Sequence, residues 1–269
     1  NVERLGVLLI LPGPVIWGGA QIRAFGKVVS AVPDLDVNLA ITIAAVSVIG
    51  YPMLGGLYAS ALTDFIQGIV MILGLVLLMV CILWSAEPAQ LHVDPSRTHL
   101  FHVGEGGWLE LIESWSIPIF STFVAVELIS RILATRNIRV AQRATIAGGL
   151  LYLLIGLLPV MMGLLAPQLL STPLIDGEQV IPALAAQYLI FPEFAIPHLI
   201  YIILMGAIIS AILSTVDSVL LSGASILSNN FLVRALHLTD DISQLRCTQI
   251  SVGLLGLIAY VCALYADRI

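Results

Sequence analysis

The feature that most constrains this chain is a series of uncharged apolar stretches, each of about the length that crosses a lipid bilayer as a helix. A spanning helix needs about 20 such residues, and five stretches reach or approach that length: residues 5–22, 38–63, 65–84, 144–175 and 247–266. They are continuously apolar, whereas the strands of a membrane β-barrel alternate with period two. The sequence therefore predicts an all-α integral membrane protein.

Two further stretches are apolar but carry an acidic residue. Residues 114–132 contain Glu127, and residues 197–229 contain Asp217. Counting both predicts seven transmembrane helices, the first of which continues to about residue 31. Only 10% of the residues are charged, against about a quarter in soluble domains, and no basic patch suits a nucleic acid.

The two ends of the sequence bear on its domain organisation. The chain begins at Asn1 rather than at a methionine and stops at Ile269, directly after a predicted span. We therefore expect residues 1–269 to be a single transmembrane domain, truncated at both ends.

Arginine placement predicts the orientation of the helices, because positively charged residues favour cytoplasmic loops. Alternate helix ends and connections carry most of the arginines: Arg4, Arg131, Arg136, Arg139, Arg143, Arg234 and Arg246. Of the other connections, residues 86–113 hold Arg97 alone and residues 168–197 hold none. We expect the arginine-rich side to be cytoplasmic.

Asp217 lies deep within an apolar stretch, where a charged side chain costs about 2.5 to 3.5 kcal/mol on insertion scales. Beside it, Ala211, Ser214, Thr215 and Ser218 fall at i, i+3, i+4 and i+7, which is one face of a helix. Hydroxyl and carboxylate oxygens suit a hard cation such as sodium. The alternative is hydrogen bonding between helices, worth about 0.6 kcal/mol per group. The buried carboxylate favours the cation site.

Asp64 begins the third predicted span, with Gln67 three residues later on the same face. One interpretation makes it a second functional carboxylate in the membrane. The other makes it a helix-start carboxylate at the cytoplasmic edge, where it interacts favourably with the helix dipole. The sequence leaves both interpretations open.

Three segments together resemble the sodium:solute symporter family, which includes proline, pantothenate, sialic acid and sugar symporters. They are Ala211-Ile-Leu-Ser-Thr-Val-Asp-Ser-Val-Leu-Leu, the run from Gly55-Gly56-Leu57-Tyr58 to Thr63-Asp64-Phe65-Ile66-Gln67-Gly68, and Glu127-Leu-Ile-Ser-Arg131 with the arginine-rich turn after it. The resemblance extends over essentially the whole chain. It implies the LeuT-like fold of ten core helices in two inverted repeats, with the seven predicted helices as core helices 3 to 9.

The resemblance also implies a first sodium site on core helix 8. There Ala211 contributes a backbone carbonyl, and Ser214 and Thr215 contribute hydroxyls. The opposite wall of this site belongs to core helix 1, which the sequence does not include.

A second sodium site in members of the family uses the aspartate that matches Asp64 and hydroxyls that follow the Ser-Thr pair. In this chain the first of those later positions is Asp217 instead of a hydroxyl residue, and the next is Ser218. This departure leaves two alternatives: both carboxylates bind sodium, or one of them carries a proton.

The resemblance places substrate near the bilayer midplane, against core helices 3 and 6. Trp17 matches a third-helix position that faces substrate, and Gln21 lies one turn further on. Ser121 and Thr122, which follow Pro118, are similarly placed on the sixth helix. The alternatives are packing for Trp17 and hydrogen bonds between helices for the two hydroxyl groups.

These features predict a secondary active transporter, not an enzyme, that couples sodium to the symport of a small polar organic solute by alternating access. Glu127 and Arg131, one turn apart, are expected to form an ion pair in an inner gate. The expected partners are sodium, the solute and the lipid bilayer of a bacterial inner membrane, and no cofactor is expected. Proton coupling and a transporter-like sensor domain of a signalling protein are the alternatives.

Overall fold

The structure, a computed structural model, describes residues 2–29, 36–93, 95, 107–123, 125–171, 177–190 and 195–265. Within these ranges the α-helices are α1 Val2–Ile10, α2 Pro12–Val29, α3 Val37–Ser85, α4 Gly107–Phe123, α5 Val126–Leu133, α6 Ile138–Leu169, α7 Val180–Leu189, α8 Ala195–Leu227, α9 Val233–Ala235 and α10 Asp241–Tyr265. Two 3₁₀ turns, Pro88–Leu91 and Gly177–Gln179, and a π-helical segment, Ser228–Leu232, complete the regular structure. The described part of the chain is therefore all-helical, as the apolar pattern predicts.

Six segments of the described helices are long and apolar enough to cross a membrane. They are Leu5–Gly26, Pro52–Ser85, Gly107–Leu133, Ile138–Leu169, His198–Ala235 and Asp241–Tyr265. This agrees with a multi-pass membrane protein. The count of seven stays a prediction, because the two predicted spans 38–63 and 65–84 both fall on α3, whose first part, Val37–Gly50, is a shorter apolar helix.

The break within α3 lies at Gly56. The predicted spans 38–63 and 65–84 place it at Asp64 instead. Gly56 has φ 57° and ψ −155°, a conformation that glycine adopts without the steric cost of a Cβ atom. One turn earlier, the Met53 carbonyl accepts a hydrogen bond of 2.7 Å from Nε2 of Gln249 on α10, which satisfies a backbone acceptor beside the interruption.

The position of the break corrects one interpretation of Asp64. Asp64 lies eight residues after Gly56, in the interior of a helical segment that continues to Ser85. The helix dipole acts mainly within the first turn. Asp64 is therefore not a helix-start carboxylate.

The chain divides into two compact units. The first unit consists of Asn1–Ile69 with Ala207–Ile269, and the second consists of Val70–Gly206. The single-domain organisation stays a prediction. All the residues expected to bind sodium belong to the first unit.

The core of the first unit is formed by α2, the first part of α3, the second half of α8, and α10. Its fully buried side chains include Ile22, Ile41, Val48, Leu220 and Ala259. Small residues allow these helices to approach closely. A Cβ atom built on Gly19 of α2 would lie 2.9 Å from the Ala259 backbone oxygen of α10.

In the second unit, α7 packs against the end of α6. Met162 and Leu169 of α6 and Leu184 of α7 are fully buried or nearly so. Nε2 of Gln187 donates a 2.6 Å hydrogen bond to the Leu169 carbonyl, which lies in the last turn of α6 and lacks an intrahelical partner.

The end of α9 yields a prediction about stability. Leu238 N donates to the Val233 carbonyl at 2.9 Å across His237, whose φ is 51°. This is the left-handed position that usually carries glycine in such helix ends. We expect His237→Gly to raise the free energy of unfolding by about 1 kcal/mol, because glycine removes the steric cost of this conformation. Thermal unfolding of the purified full-length protein measures the change. His237→Ala is the control and should give no gain, since alanine keeps a Cβ atom; equal unfolding temperatures for the two variants would contradict the argument.

Candidate functional site

Asp64 of α3 and Ser214 of α8 are brought together in the first unit. The hydroxyl of Ser214 donates a hydrogen bond to Oδ1 of Asp64. Both side chains are half-buried. The two residues are 150 positions apart in the sequence, so this contact depends on the packing of α3 against α8.

Ser60, one turn before Asp64 on α3, joins this contact and is not among the residues predicted from the sequence. Its side chain is 0% exposed. Its Oγ lies 3.5 Å from Oδ2 of Asp64 and 3.4 Å from Oγ of Ser218 on α8. The spacing of four residues from Asp64 is the only sequence signal that could have found it.

Asp217 and Ser218 extend this group of oxygens along α8. Asp217 is 0% exposed and Ser218 is 6% exposed. Oγ of Ser218 lies 3.2 Å from Oδ1 of Asp217 and 2.9 Å from the Ser214 carbonyl oxygen. Ser60, Asp64, Ser214, Asp217 and Ser218 therefore form one connected group, which we name the carboxylate-serine cluster.

The ligand chemistry of the cluster suits a hard cation. Its side chains offer carboxylate and hydroxyl oxygens, the type of ligand that hard cations prefer. Over the described parts of the chain, no group of three or more His, Cys, Asp or Glu side chains could hold a metal ion. Besides its two carboxylates, the cluster contributes three serine hydroxyl oxygens.

The residues implied for the first sodium site lie on the same helix. Ala211, Ser214 and Thr215 are half-buried in the interior of α8. Oγ1 of Thr215 donates to the Ala211 carbonyl at 3.1 Å, so these two oxygens are neighbours. The Ser214 hydroxyl bonds Asp64 instead.

Trp17 and Gln21 share one face of α2. Trp17 is 51% exposed and Gln21 is half-buried. Gly18, about 100° from Trp17 around the helix, packs against the core, with its Cβ position 3.7 Å from Ala259 Cβ and 3.8 Å from Leu220 Cδ2. The exposed position of Trp17 is compatible with substrate contact, which stays a prediction.

The other predicted residues lie in the second unit. The hydroxyls of Ser121 and Thr122 are exposed, and both donate to the Pro118 carbonyl of their own helix, at 3.1 Å and 2.9 Å. Glu127 and Arg131 lie in the first and last turns of α5, both half-buried. The predicted stretch 114–132 is thus divided between α4 and α5, and the substrate and gate roles of these four residues stay predictions.

Relatives of known function were found by sequence. High-affinity choline transporter 1 of Caenorhabditis elegans is 26% identical over 255 residues, which cover 85% of this chain and 42% of that protein. The sodium/pantothenate symporter of Haemophilus influenzae is 28% identical over 185 residues, covering 65% of this chain and 36% of that protein. The sodium/proline symporter of the same organism is 26% identical over 246 residues, which cover 86% of this chain and 47% of that protein. The chain thus spans less than half the length of these relatives.

The fold and the family can both be assigned. A solved structure of a Na⁺-coupled sialic acid symporter, in a substrate-bound outward-open state, matches with a TM-score of 0.77 and 17% identity over 98% of this chain and 57% of that one. This likeness shows the fold. The model of the sodium:solute symporter family matches residues 5–268. The relatives that match this chain by sequence are transporters, not enzymes. The chain belongs to the sodium:solute symporter family.

Proposed function

We propose that the protein couples inward movement of sodium to the uptake of a small polar solute by alternating access. The observation that best supports this is the carboxylate-serine cluster, in which Ser214 of α8 bonds Asp64 of α3 within apolar helices. Two buried or half-buried carboxylates in such helices are costly, and carboxylates in these places commonly mark ion or substrate pathways.

The cluster offers a way to link cation binding to conformation. A ligand shifts a conformational equilibrium only by its difference in affinity for the two states. A cation held by Asp64 and Ser214 ties α3 to α8, so it favours the state in which these oxygens converge. Sodium binding thereby stabilises one arrangement of the two helices, and release permits the other.

The available energy is sufficient for solute accumulation. One sodium ion entering at a membrane potential of about 100 mV releases about 2.3 kcal/mol, and a tenfold concentration ratio adds about 1.4 kcal/mol. A single ion therefore supports a gradient of several hundredfold in a neutral solute, at about 1.4 kcal/mol for each factor of ten.

In this proposal, the cluster is one sodium site, and Ala211 and Thr215 supply ligands to another site that shares Ser214 with the cluster. The substrate roles predicted for Trp17 and Gln21, and those predicted for Ser121 and Thr122, belong to the same proposal. Glu127 and Arg131 act at an inner gate. The names of matched proteins specify choline, pantothenate, proline and sialic acid as their solutes, and these small polar compounds form the first panel to be tested.

Proton coupling is a second candidate, favoured by the complete burial of Asp217 beside Ser218. A carboxylate in such a place can be neutralised by a proton instead of by sodium. Uptake that persists without sodium and follows the pH gradient would select this candidate over the first.

The test uses the full-length protein reconstituted in vesicles, with an inward sodium gradient and the solute panel. We expect sodium-dependent uptake of at least one solute and none with potassium in place of sodium. Solute accumulation that is independent of both the sodium gradient and the pH gradient would overturn the proposal.

Thr215→Val gives a further prediction because valine keeps the shape of threonine and removes one oxygen. We expect the half-saturating sodium concentration to rise by about tenfold, since a bond to a charged partner contributes about 1.5 to 3 kcal/mol. Titration of sodium-dependent uptake measures the effect. Thr145→Val is the control, because its hydroxyl bonds the Ala141 carbonyl of its own helix on α6, remote in sequence from the cluster. Equal shifts in the two variants would contradict a ligand role for Thr215.

A further inference from the structure

Ser60 differs from most hydroxyl side chains on the apolar helices in the partners that it contacts. Serine and threonine in membrane helices commonly bond the carbonyl three or four residues earlier. Thr63, on the same helix, does so, with Oγ1 at 3.0 Å from the Ala59 oxygen and 2.8 Å from the Ser60 oxygen. The Ser60 hydroxyl instead lies beside two side-chain oxygens, those of Asp64 and Ser218.

The burial of Ser60 places this hydroxyl inside the cluster. Its side chain is 0% exposed, while Asp64 and Ser214 are half-buried. A buried hydroxyl needs compensating partners because its desolvation is costly. Ser60 therefore stands on the interior side of the cluster, between the Asp64 carboxylate and Ser218.

The two distances from Ser60 are long for hydrogen bonds. Hydroxyl-to-oxygen bonds are usually about 2.7 to 2.8 Å, whereas these distances are 3.5 Å and 3.4 Å. Oxygens that share one cation lie further apart. Sodium is close in size to calcium, whose bonds to oxygen are about 2.3 to 2.6 Å, so adjacent ligands in an octahedral arrangement are separated by about 3.3 to 3.7 Å. The two spacings around Ser60 fall in this range, whereas Ser214 and Asp64 are in direct hydrogen-bond contact.

We infer that Ser60 is a direct ligand of the coupling cation and helps to select sodium over lithium. This inference rests on the proposed function and gives the cation a third hydroxyl ligand. Ser60 supplies an oxygen from α3, while Ser214 and Ser218 supply oxygens from α8, and Asp64 supplies the charge. Cation size and the number of ligands together decide which ion a site holds. Removing one ligand therefore weakens sodium binding more than the binding of lithium, which is smaller and takes fewer ligands.

The experiment measures cation binding to the full-length purified protein without any solute. The unfolding temperature is followed against increasing sodium chloride, with potassium chloride keeping the ionic strength constant, and then against lithium chloride. A cation that binds the folded state raises the unfolding temperature with a saturating dependence on its concentration. The half-saturating concentration is the readout. A purely structural role for Ser60 would change the unfolding temperature without sodium but not this concentration.

For Ser60→Ala we expect the half-saturating sodium concentration to rise by about fivefold to twentyfold, with a smaller change for lithium. Ser60→Cys keeps the side-chain size but replaces oxygen with sulfur, a poor ligand for hard cations, and should give the same result. Thr63→Val removes a neighbouring hydroxyl that bonds backbone only, so its half-saturating concentration should stay within about twofold of the wild type.

Two results separate the failure of this inference from the failure of the proposed function. If Ser60→Ala and Ser60→Cys bind sodium like the wild type while Asp64→Asn does not, the cluster binds sodium without Ser60. If Asp64→Asn and Ser214→Ala also bind sodium like the wild type, the cluster is not a sodium site and the inference fails with it. An equal weakening for lithium and sodium would overturn the selectivity role.

Discussion

Replacing Asp64 by asparagine is expected to weaken sodium binding by about a hundredfold or more. Asp64 supplies a charge in contact with Ser214 and beside Ser60. Two unit charges about 2.5 Å apart attract by several kcal/mol even at an effective dielectric constant of about 20, and each 1.4 kcal/mol corresponds to a factor of ten. Asparagine keeps the size of the side chain and one oxygen but loses this attraction.

Sodium-dependent uptake by the full-length protein in vesicles measures the effect of Asp64→Asn. The maximal rate at physiological sodium should fall to near background, and part of it should return at high sodium. Asp241→Asn is the matched control, because Asp241 is an exposed acid in the first turn of α10. If uptake depends on sodium equally in Asp64→Asn and Asp241→Asn, Asp64 is not a sodium ligand.

Asp217→Asn adds a second arm to the same experiment. If both carboxylates serve the sodium ion, Asp217→Asn should also raise the half-saturating sodium concentration. If Asp217 carries a proton instead, the variant should keep its sodium affinity and lose the dependence of uptake on pH. The two outcomes therefore separate the alternatives that the sequence leaves open.

Replacing Gly19 by leucine is expected to prevent the first unit from packing. A Cβ atom on Gly19 would lie 2.9 Å from the Ala259 carbonyl oxygen and 3.0 Å from Cys262 Cβ on α10. The Ala259 carbonyl oxygen is part of the α10 backbone, so it cannot move away as the end of a flexible side chain can. One added methyl group in a tight core costs about 1 to 3 kcal/mol, and leucine adds four carbon atoms. The whole stability of a typical domain is about 5 to 15 kcal/mol.

Size-exclusion chromatography of the full-length variants in detergent tests this expectation. Gly19→Leu should give little folded, monodisperse protein, and Gly19→Ala should give an intermediate yield with a lower unfolding temperature. Gly68→Ala is the control, since among the residues that the structure describes no atom outside its own helix turn lies within 4 Å of a Cβ built there. Alanine also has the better helix propensity, by about 1 kcal/mol. A folded yield for Gly19→Leu equal to that of the control would contradict the packing argument.

The membrane class and the family could be predicted from the sequence, and both were confirmed. Long uncharged segments have no stable place in water, so they specify transmembrane helices whatever their partners are. Asp64 and Asp217 could be selected for the same reason, because carboxylates in such segments are costly and therefore informative. These conclusions depend on the transfer of residues from water to lipid, which is a local property of the chain.

Helix boundaries within α3 were predicted less well. Asp64 interrupts the run of apolar residues and so predicts a boundary between two spans, yet the backbone breaks at Gly56. A polar side chain does not end a helix when another helix supplies its partners, as Ser214 does for Asp64. The Gly55-Gly56 pair was the better marker, since glycine adopts a positive φ without strain.

The sequence by itself determined that the chain crosses the membrane, belongs to a symporter family and carries carboxylates and hydroxyls on its apolar helices. Only the tertiary structure decided that Ser60 joins Asp64 and Ser218, and that Ser214 bonds Asp64 across 150 residues. The physical reason is that a serine hydroxyl can bond either a carbonyl of its own helix or a group on a neighbouring helix. Hydrophobic periodicity shows which face of a helix is buried, but the axial register between two packed helices follows from the close fit of their side chains.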